Sequence, residues 1–227
     1  MTTYTQVVTA EETSLTLVKA PALPLAPVEY QQKYADDLAN ILRLYFTQID
    51  TLISQLRVGE LNTLALPYGS FADTTTQTTT ANTATVMTLN TTDFSNGVSV
   101  VTSGGKASRI TAATAGIYNF QWSGQFQNTD NAQHDISVWV RKNGTDIVGS
   151  TGFISIPARK AAGAGNEGHG VYGWNFFFSL NANDYVELWW SVNNAAVSIE
   201  AYPVGTSPTR PSTSSLVVTM AFVSALP

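Results

Sequence analysis

The chain has 227 residues, 44% of them hydrophobic and only 12% charged, with a formal net charge of −5 and no cysteine. That length suits one good-sized domain plus an appendage, and the acidic balance offers no basic stripe to neutralise nucleic-acid phosphates. Without thiols there is neither a disulfide frame nor a thiolate metal site or nucleophile.

Charged residues run at about half the usual share for a soluble domain. The surface must therefore use Thr, Ser, Asn and Gln, or be covered by other chains. The N-terminal MTTYTQVVTAEE has no basic segment leading into an apolar run, so no secretory leader is expected. No stretch approaches the ~18 apolar residues of a membrane span, so no membrane partner is expected.

Residues 1–20 read as an extended arm. Val7, Val8, Leu15, Leu17 and Val18 are too few for a core, which leaves a frayed terminus or a segment ordered by strand addition to a partner. Residues 21–27, PALPLAP, form a semi-stiff proline-rich link. Residues 28–58 read as one long helix, with Pro27 placed as its first helical residue, Glu29 in its first turn, Arg57 in its last turn and Gly59 as its stop. Ala35, Leu38, Leu42, Tyr45, Ile49, Leu52 and Leu56 are spaced alternately by three and four, which is a heptad seam. Ile41, Phe46 and Ile53 widen the stripe. The expectation is a self-associating stalk through Leu38, Leu42, Tyr45, Ile49, Leu52 and Leu56; the plainer alternative is an amphipathic helix packed on its own β-domain.

Residues 59–84 read as a connector, threonine-rich from Thr74 to Thr80. From residue 85 to 227 the pattern is that of a β-sandwich or barrel: many short strands, turn residues between them and no second helix. In Gly116–Phe126 the residues Tyr118, Phe120, Trp122 and Phe126 alternate with Asn119, Gln121, Ser123 and Gln125, placing aromatics and amides on opposite faces. Asp135–Arg141 repeats the device before Asn143-Gly144, a pair suited to a two-residue hairpin turn. Further strands are expected at Thr85–Leu89, Gly97–Val101, Ser108–Thr111, Thr145–Val148, Gly173–Leu180, Tyr185–Val192, Ala196–Ala201 and Ser215–Val223.

The order AGIYNFQWSGQF, ISVWVRKNGTDI, WNFFFSLNANDYVELWW and the closing SLVVTMAFVSA resembles the heads of the complement and tumour-necrosis-factor superfamily. There a glycine–aromatic strand, a strand ending in Lys-Asn-Gly, a Leu-x-x-Gly-Asp-x-Val-x-Leu hairpin and a last apolar strand follow in that order. Here Asn183 stands where the hairpin commonly has glycine. The resemblance spans about residues 85–225. It implies an all-β jelly-roll sandwich that assembles as a homotrimer, often behind an N-terminal stalk. The arm, the helix, the phrase LPYGSFADTTTQ and the tail GTSPTRPSTSSLVVTMAFVSAL also resemble small trimeric proteins of bacteriophage particles.

Chemistry-bearing motifs are sparse. His134 and His169 lie in different loops, and no acidic run has calcium-loop spacing. No nucleophile elbow, zinc-protease or phosphate-loop motif occurs, and Asp130 with Asp135 gives no sign of a split acid–base pair. No catalytic residue, cofactor or metal ligand is therefore assigned. The loops Pro157–Gly170, with Arg159, Lys160 and His169, and Tyr202–Ser214, with Tyr202 and Arg210, are the candidate partner contacts. Trp139 and Trp189 fall on the outward parity of their strands, for a neighbouring subunit or a sugar ring.

These readings lead to a non-enzymatic virion structural protein, assembled in the host cytoplasm and displayed on the virion surface. Residues 1–27 would hold it to capsid or portal-tail proteins, as a capsid decoration or head fibre. The alternative is a tail-fibre tip or carbohydrate-binding head for host attachment, touching a surface glycan or receptor.

Overall fold

In a computed structural model of the chain, residues 20–25, 27–58 and 66–226 are described, 52–58 by backbone alone. The chain divides into two compact units, Met1–Ala65 and Leu66–Pro227.

In the first unit, α1 spans Gln32–Val58. It starts later than the proline signal predicts. No Ser, Thr, Asp or Asn flanks Pro27 to bond the first free N–H groups. The first helical bonds run instead from Tyr34 and Ala35 N–H to the Gln31 carbonyl, at 3.1 and 3.3 Å, and no acidic residue occupies the first turn. Ala35, Leu38, Ile41, Leu42, Tyr45 and Ile49 are half-buried, and no described side chain of the helix is fully buried. Leu44 and Phe46 stay mostly exposed. The proline-rich link does not simply project away: Pro21 lines a small cleft with Ile41, Leu44, Tyr45 and Gln48. The arm (residues 1–19), the Gly59 stop and the side chains of Leu52, Ile53, Leu56 and Arg57 lie outside the described residues.

The second unit is an all-β jelly-roll sandwich. Its strands are β1 (Tyr68–Asp73), β2 (Thr85–Val86), β3 (Thr91–Asn96), β4 (Val98–Ser103), β5 (Lys106–Ala112), β6 (Gly116–Asn128), β7 (His134–Lys142), β8 (Thr145–Asp146), β9 (Gly152–Ile156), β10 (Gly168–Leu180), β11 (Tyr185–Val192), β12 (Val197–Ile199), β13 (Gly205–Thr206), β14 (Thr209–Arg210) and β15 (Leu216–Ser224). One sheet runs β10-β6-β15-β1-β3, with β12 also on β6; the other runs β4-β5-β11-β7-β8, with β2 on β11 and β9 on β7. Successive long strands cross from one sheet to the other. Antiparallel sheets packed this way bury one parity of each strand and wet the other.

The buried parity is the one the sequence marks. Tyr118, Phe120, Trp122 and Phe126 of β6 face Ile136, Val138 and Val140 of β7 and Val186, Leu188, Trp190 and Val192 of β11 within one core. Phe126 and Trp190 meet across it, ring centres 6.3 Å apart. The turn signals also hold: Asn143 and Gly144 take φ of 50° and 80°, and Asn183 takes 69°. An amide side chain tolerates that left-handed region, so Asn183 serves where glycine would.

The head begins well before residue 85. β1, read as part of the connector, is an inner strand between β15 and β3, and Phe71 is fully buried. Its YGSFAD shows no alternation because Ser70, Phe71, Ala72 and Asp73 are all buried, on both faces of the strand. β10 also starts five residues earlier than Gly173, at Gly168; its glycines at 168, 170 and 173 mask the strand pattern, so His169 is a strand residue rather than a loop residue.

Candidate functional site

The second of the two loops singled out by sequence meets His169, at the end of the first, on the outward face of the six-stranded sheet. His169 opens β10 beside Gln127 of β6, and Tyr202 is bridged to Thr213 across the second loop. The Tyr202 hydroxyl bonds to Gln127 Oε1 and lies 3.1 Å from His169 Nδ1. Burial, then the charges of Glu200 and Glu167, push the Tyr202 hydroxyl up to about 12, with Arg210 acting the other way. It remains a neutral donor at any physiological pH.

Arg210 sits on the β13–β14 hairpin opposite Gly205. Its guanidinium carbon is 6.0 Å from the Tyr202 ring centre. A Cβ at Gly205 would come within 2.5 Å of the Arg210 Cγ, so glycine is what lets the arginine stem cross there. Beside it lies a cleft of about 450 Å³ lined by Ser123, Gln125, Val171, Arg210, Pro211, Ser212, Thr213, Ser214 and Val217.

Arg159 and Lys160 are fastened elsewhere. Their backbone N–H groups bond to the Asp130 and Asn166 carbonyls at 2.9 and 2.6 Å, which ties the loop to itself and to the 128–134 turn. Among the described residues no group of three His, Asp or Glu side chains is placed to hold a metal ion.

Trp139 and Trp189 are direct cross-strand partners on β7 and β11, on the opposite sheet from the loop cluster. They lie on the outward parity, yet neither ring is bare. Trp139 Nε1 donates to Asp146 Oδ1 at 2.7 Å, and the Arg141 guanidinium covers Trp189 at 3.7 Å. Arg141 also pairs with Asp146; this hydrogen bond, with that of Trp139, holds the Asp146 carboxyl below its ordinary value. A depressed carboxylate stabilises the fold above its unfolded value of ~4 and loses that contribution as pH falls through the folded value. Melting temperature should accordingly fall below about pH 4, and Asp146→Asn should make that fall shallower; an identical pH profile for the variant would refute the assignment.

A third feature had no counterpart in the candidate residues read from sequence. Among the described residues β9 pairs only with β7, and β10 only with β6, so two strands have outer edges without a described partner. The edges lie on one flank: Trp174 lies against Gly152, 3.2 Å from where its Cβ would be, and Tyr172 OH reaches the Ser155 carbonyl at 3.4 Å. Phe153 is 82% exposed, Phe177 63% and Trp174 47%. An aromatic ladder runs inward from Trp174 through Phe176 to Phe178, with ring centres 5.0 and 5.7 Å apart. GFISI and GHGVYGWNFFFSL contain no Asp, Glu, Lys, Arg or Pro, the residues that ordinarily keep an open edge from pairing. Next to Phe177 and Ala221 on the outward face, the Asn119 Oδ1 is buried with no hydrogen-bond partner among the described residues. The signal was present in WNFFF, which is apolar on both parities and so cannot hide all its rings in one core.

Neither a scan against protein-family models nor a search of curated proteins returns a match to this chain.

Proposed function

We propose that the chain is a non-enzymatic structural protein of a bacteriophage particle, a homotrimer fixed to the capsid or portal-tail region through residues 1–27. In this reading it assembles in the host cytoplasm and stands on the virion surface, as a capsid decoration or head fibre. It works by burying apolar surface between copies, without engaging nucleic acid or membrane. The observation that carries the association is the uncharged flank of β9 and β10, where Trp174 lies open between the sheets and Phe153 and Phe177 lie open on the outward faces of opposite sheets. Soluble proteins rarely leave an open edge of this kind unguarded. The half-covered stripe of α1 supports the same reading, because its three–four spacing suits a bundle of copies. The virion assignment rests on the sequence resemblance described above. Three arms on one trimer would add avidity to weak single contacts.

Sedimentation of the full chain should give three chain masses, and a single-chain mass at micromolar concentration would end the proposal. Deleting 1–26 should leave the same mass but abolish incorporation into particles; normal incorporation would remove the anchoring role. A tail-fibre tip or carbohydrate-binding head is the second reading, favoured by one observation: the hydroxyl-lined cleft beside Arg210.

A further inference from the structure

Among the described residues the cations of the head divide into paired and unpaired ones, and Arg210, like Arg159 and Lys160, is among the unpaired. Arg109, Arg141 and Lys142 each have a carboxylate within 4 Å, namely Glu187, Asp146 and Asp184. No such carboxylate is found for Arg210 among the described residues. Its guanidinium is nevertheless positioned, by the missing Cβ at Gly205 and the Tyr202 ring. Tyr202 is itself held through Gln127 and His169. A guanidinium presents a planar fork that matches a carboxylate.

The neighbouring cleft of about 450 Å³ adds the rest of a recognition set. Ser123, Ser212 and Gln125 supply hydroxyl and amide groups that donate and accept. Val171 and Val217 give it an apolar floor. A sugar ring has this same division, hydroxyls at the rim and C–H groups on one face. Among the described residues the Arg210 guanidinium is the one charged group lining the cleft, so a single carboxylate on the ligand is what it can pair with. A neutral sugar would leave the guanidinium unanswered.

We propose that this cleft binds an acidic sugar residue, a pyranose bearing one carboxylate, with Arg210 on the carboxylate and the valines under the ring. The site is built within one chain, so it stands or falls separately from trimer formation.

The test uses the full chain, ligand-observed NMR and titration with three probes: an oligogalacturonide, a neutral galacto-oligosaccharide and glycerol phosphate. The oligogalacturonide should bind on the order of 1 mM, an affinity suited to multivalent use. Arg210→Gln should weaken it about tenfold, the loss of roughly one charge-assisted pair. Gly205→Ala, which keeps the arginine but displaces its stem, should weaken it by a similar factor. Arg141→Gln, on the opposite sheet, should leave it unchanged. Circular dichroism of each variant should match the parent, since Arg210 is exposed. Equal binding of the neutral sugar would overturn the proposal. So would indifference to Arg210→Gln, binding of glycerol phosphate alone, or no binding of any probe.

Discussion

Phe153→Asp combined with Phe177→Asp is expected to convert the proposed trimer to single chains. Both rings are mostly exposed in the isolated chain, at 82% and 63%, so the head loses little by their replacement. In an assembly they would be covered, and each ring contributes about 2 kcal/mol of transfer free energy when buried. Two rings on each of three copies would then remove on the order of 10 kcal/mol from association, before the further cost of desolvating the carboxylates. Sedimentation velocity should show one chain mass with an unchanged β-type circular dichroism spectrum. Leu42→Asp with Ile49→Asp makes the complementary change on α1. If that pair dissociates the protein while the phenylalanine pair does not, the helix alone carries association and the β9–β10 flank is only a sheet edge. An unchanged mass for both variants would refute self-association through either surface.

The sheet architecture was legible where one parity was wet. β6, β7 and β11 alternate because their outward residues are polar or amphipathic while their inward ones are aliphatic or aromatic. That pattern is a direct record of burial. β1 escaped notice because it has no wet parity: a strand buried on both sides, built from Gly69, Ser70, Ala72 and one Phe, leaves no period to read. β3, with TTDFSN and Phe94 61% exposed, is an edge strand whose polarity mimics a loop. β9 is short, and its Phe153 points outward. The helix itself was clear, but its start was not: Pro27 permits a helix without supplying the side-chain acceptor that begins one.

The candidate site divided along the same line. His169, Tyr202 and Arg210 stand out in the sequence because long stretches rich in Gly and Pro carry few core demands, and the fold brings the three side chains near one another. Gln127, Ser123 and Val217, which complete the cluster, sit on strands and look like ordinary outward positions. Only the sheet register brings them under the loops. Trp139 and Trp189 were placed on the right face, yet the sequence could not say that Arg141 and Asp146 would already occupy them.

Asp73→Ala should cost about 3 kcal/mol of stability, the value for stripping a buried carboxylate from its donors. Asp73 ends β1 and is 1% exposed, with no cation paired to it within ion-pair distance among the described residues. Its carboxyl oxygens are held by neutral groups instead. Oδ1 accepts from Thr75 N–H at 2.8 Å, from the Thr75 hydroxyl at 2.5 Å and from Asn90 Nδ2 at 3.2 Å; Oδ2 accepts from the Thr88 hydroxyl at 2.9 Å. The threonines that follow stay largely exposed, as the sequence suggests, and Thr75 alone of the 74–80 run bonds Asp73. The chain leaves β1 through the Thr75 contact, and Gln77 then pairs with Ile199. Alanine at position 73 would leave those donors facing one another without an acceptor, whereas Asp73→Asn keeps one acceptor and should cost only about 1 kcal/mol. For a domain of this size a loss of about 3 kcal/mol lowers the melting temperature by roughly 6–12 °C. Urea unfolding at neutral pH, measured in the background of the double phenylalanine variant where association no longer contributes, isolates this effect. A midpoint for Asp73→Ala equal to that of its parent would mean that the backbone pairing of Gln77 with Ile199, and not the carboxylate, holds the turn.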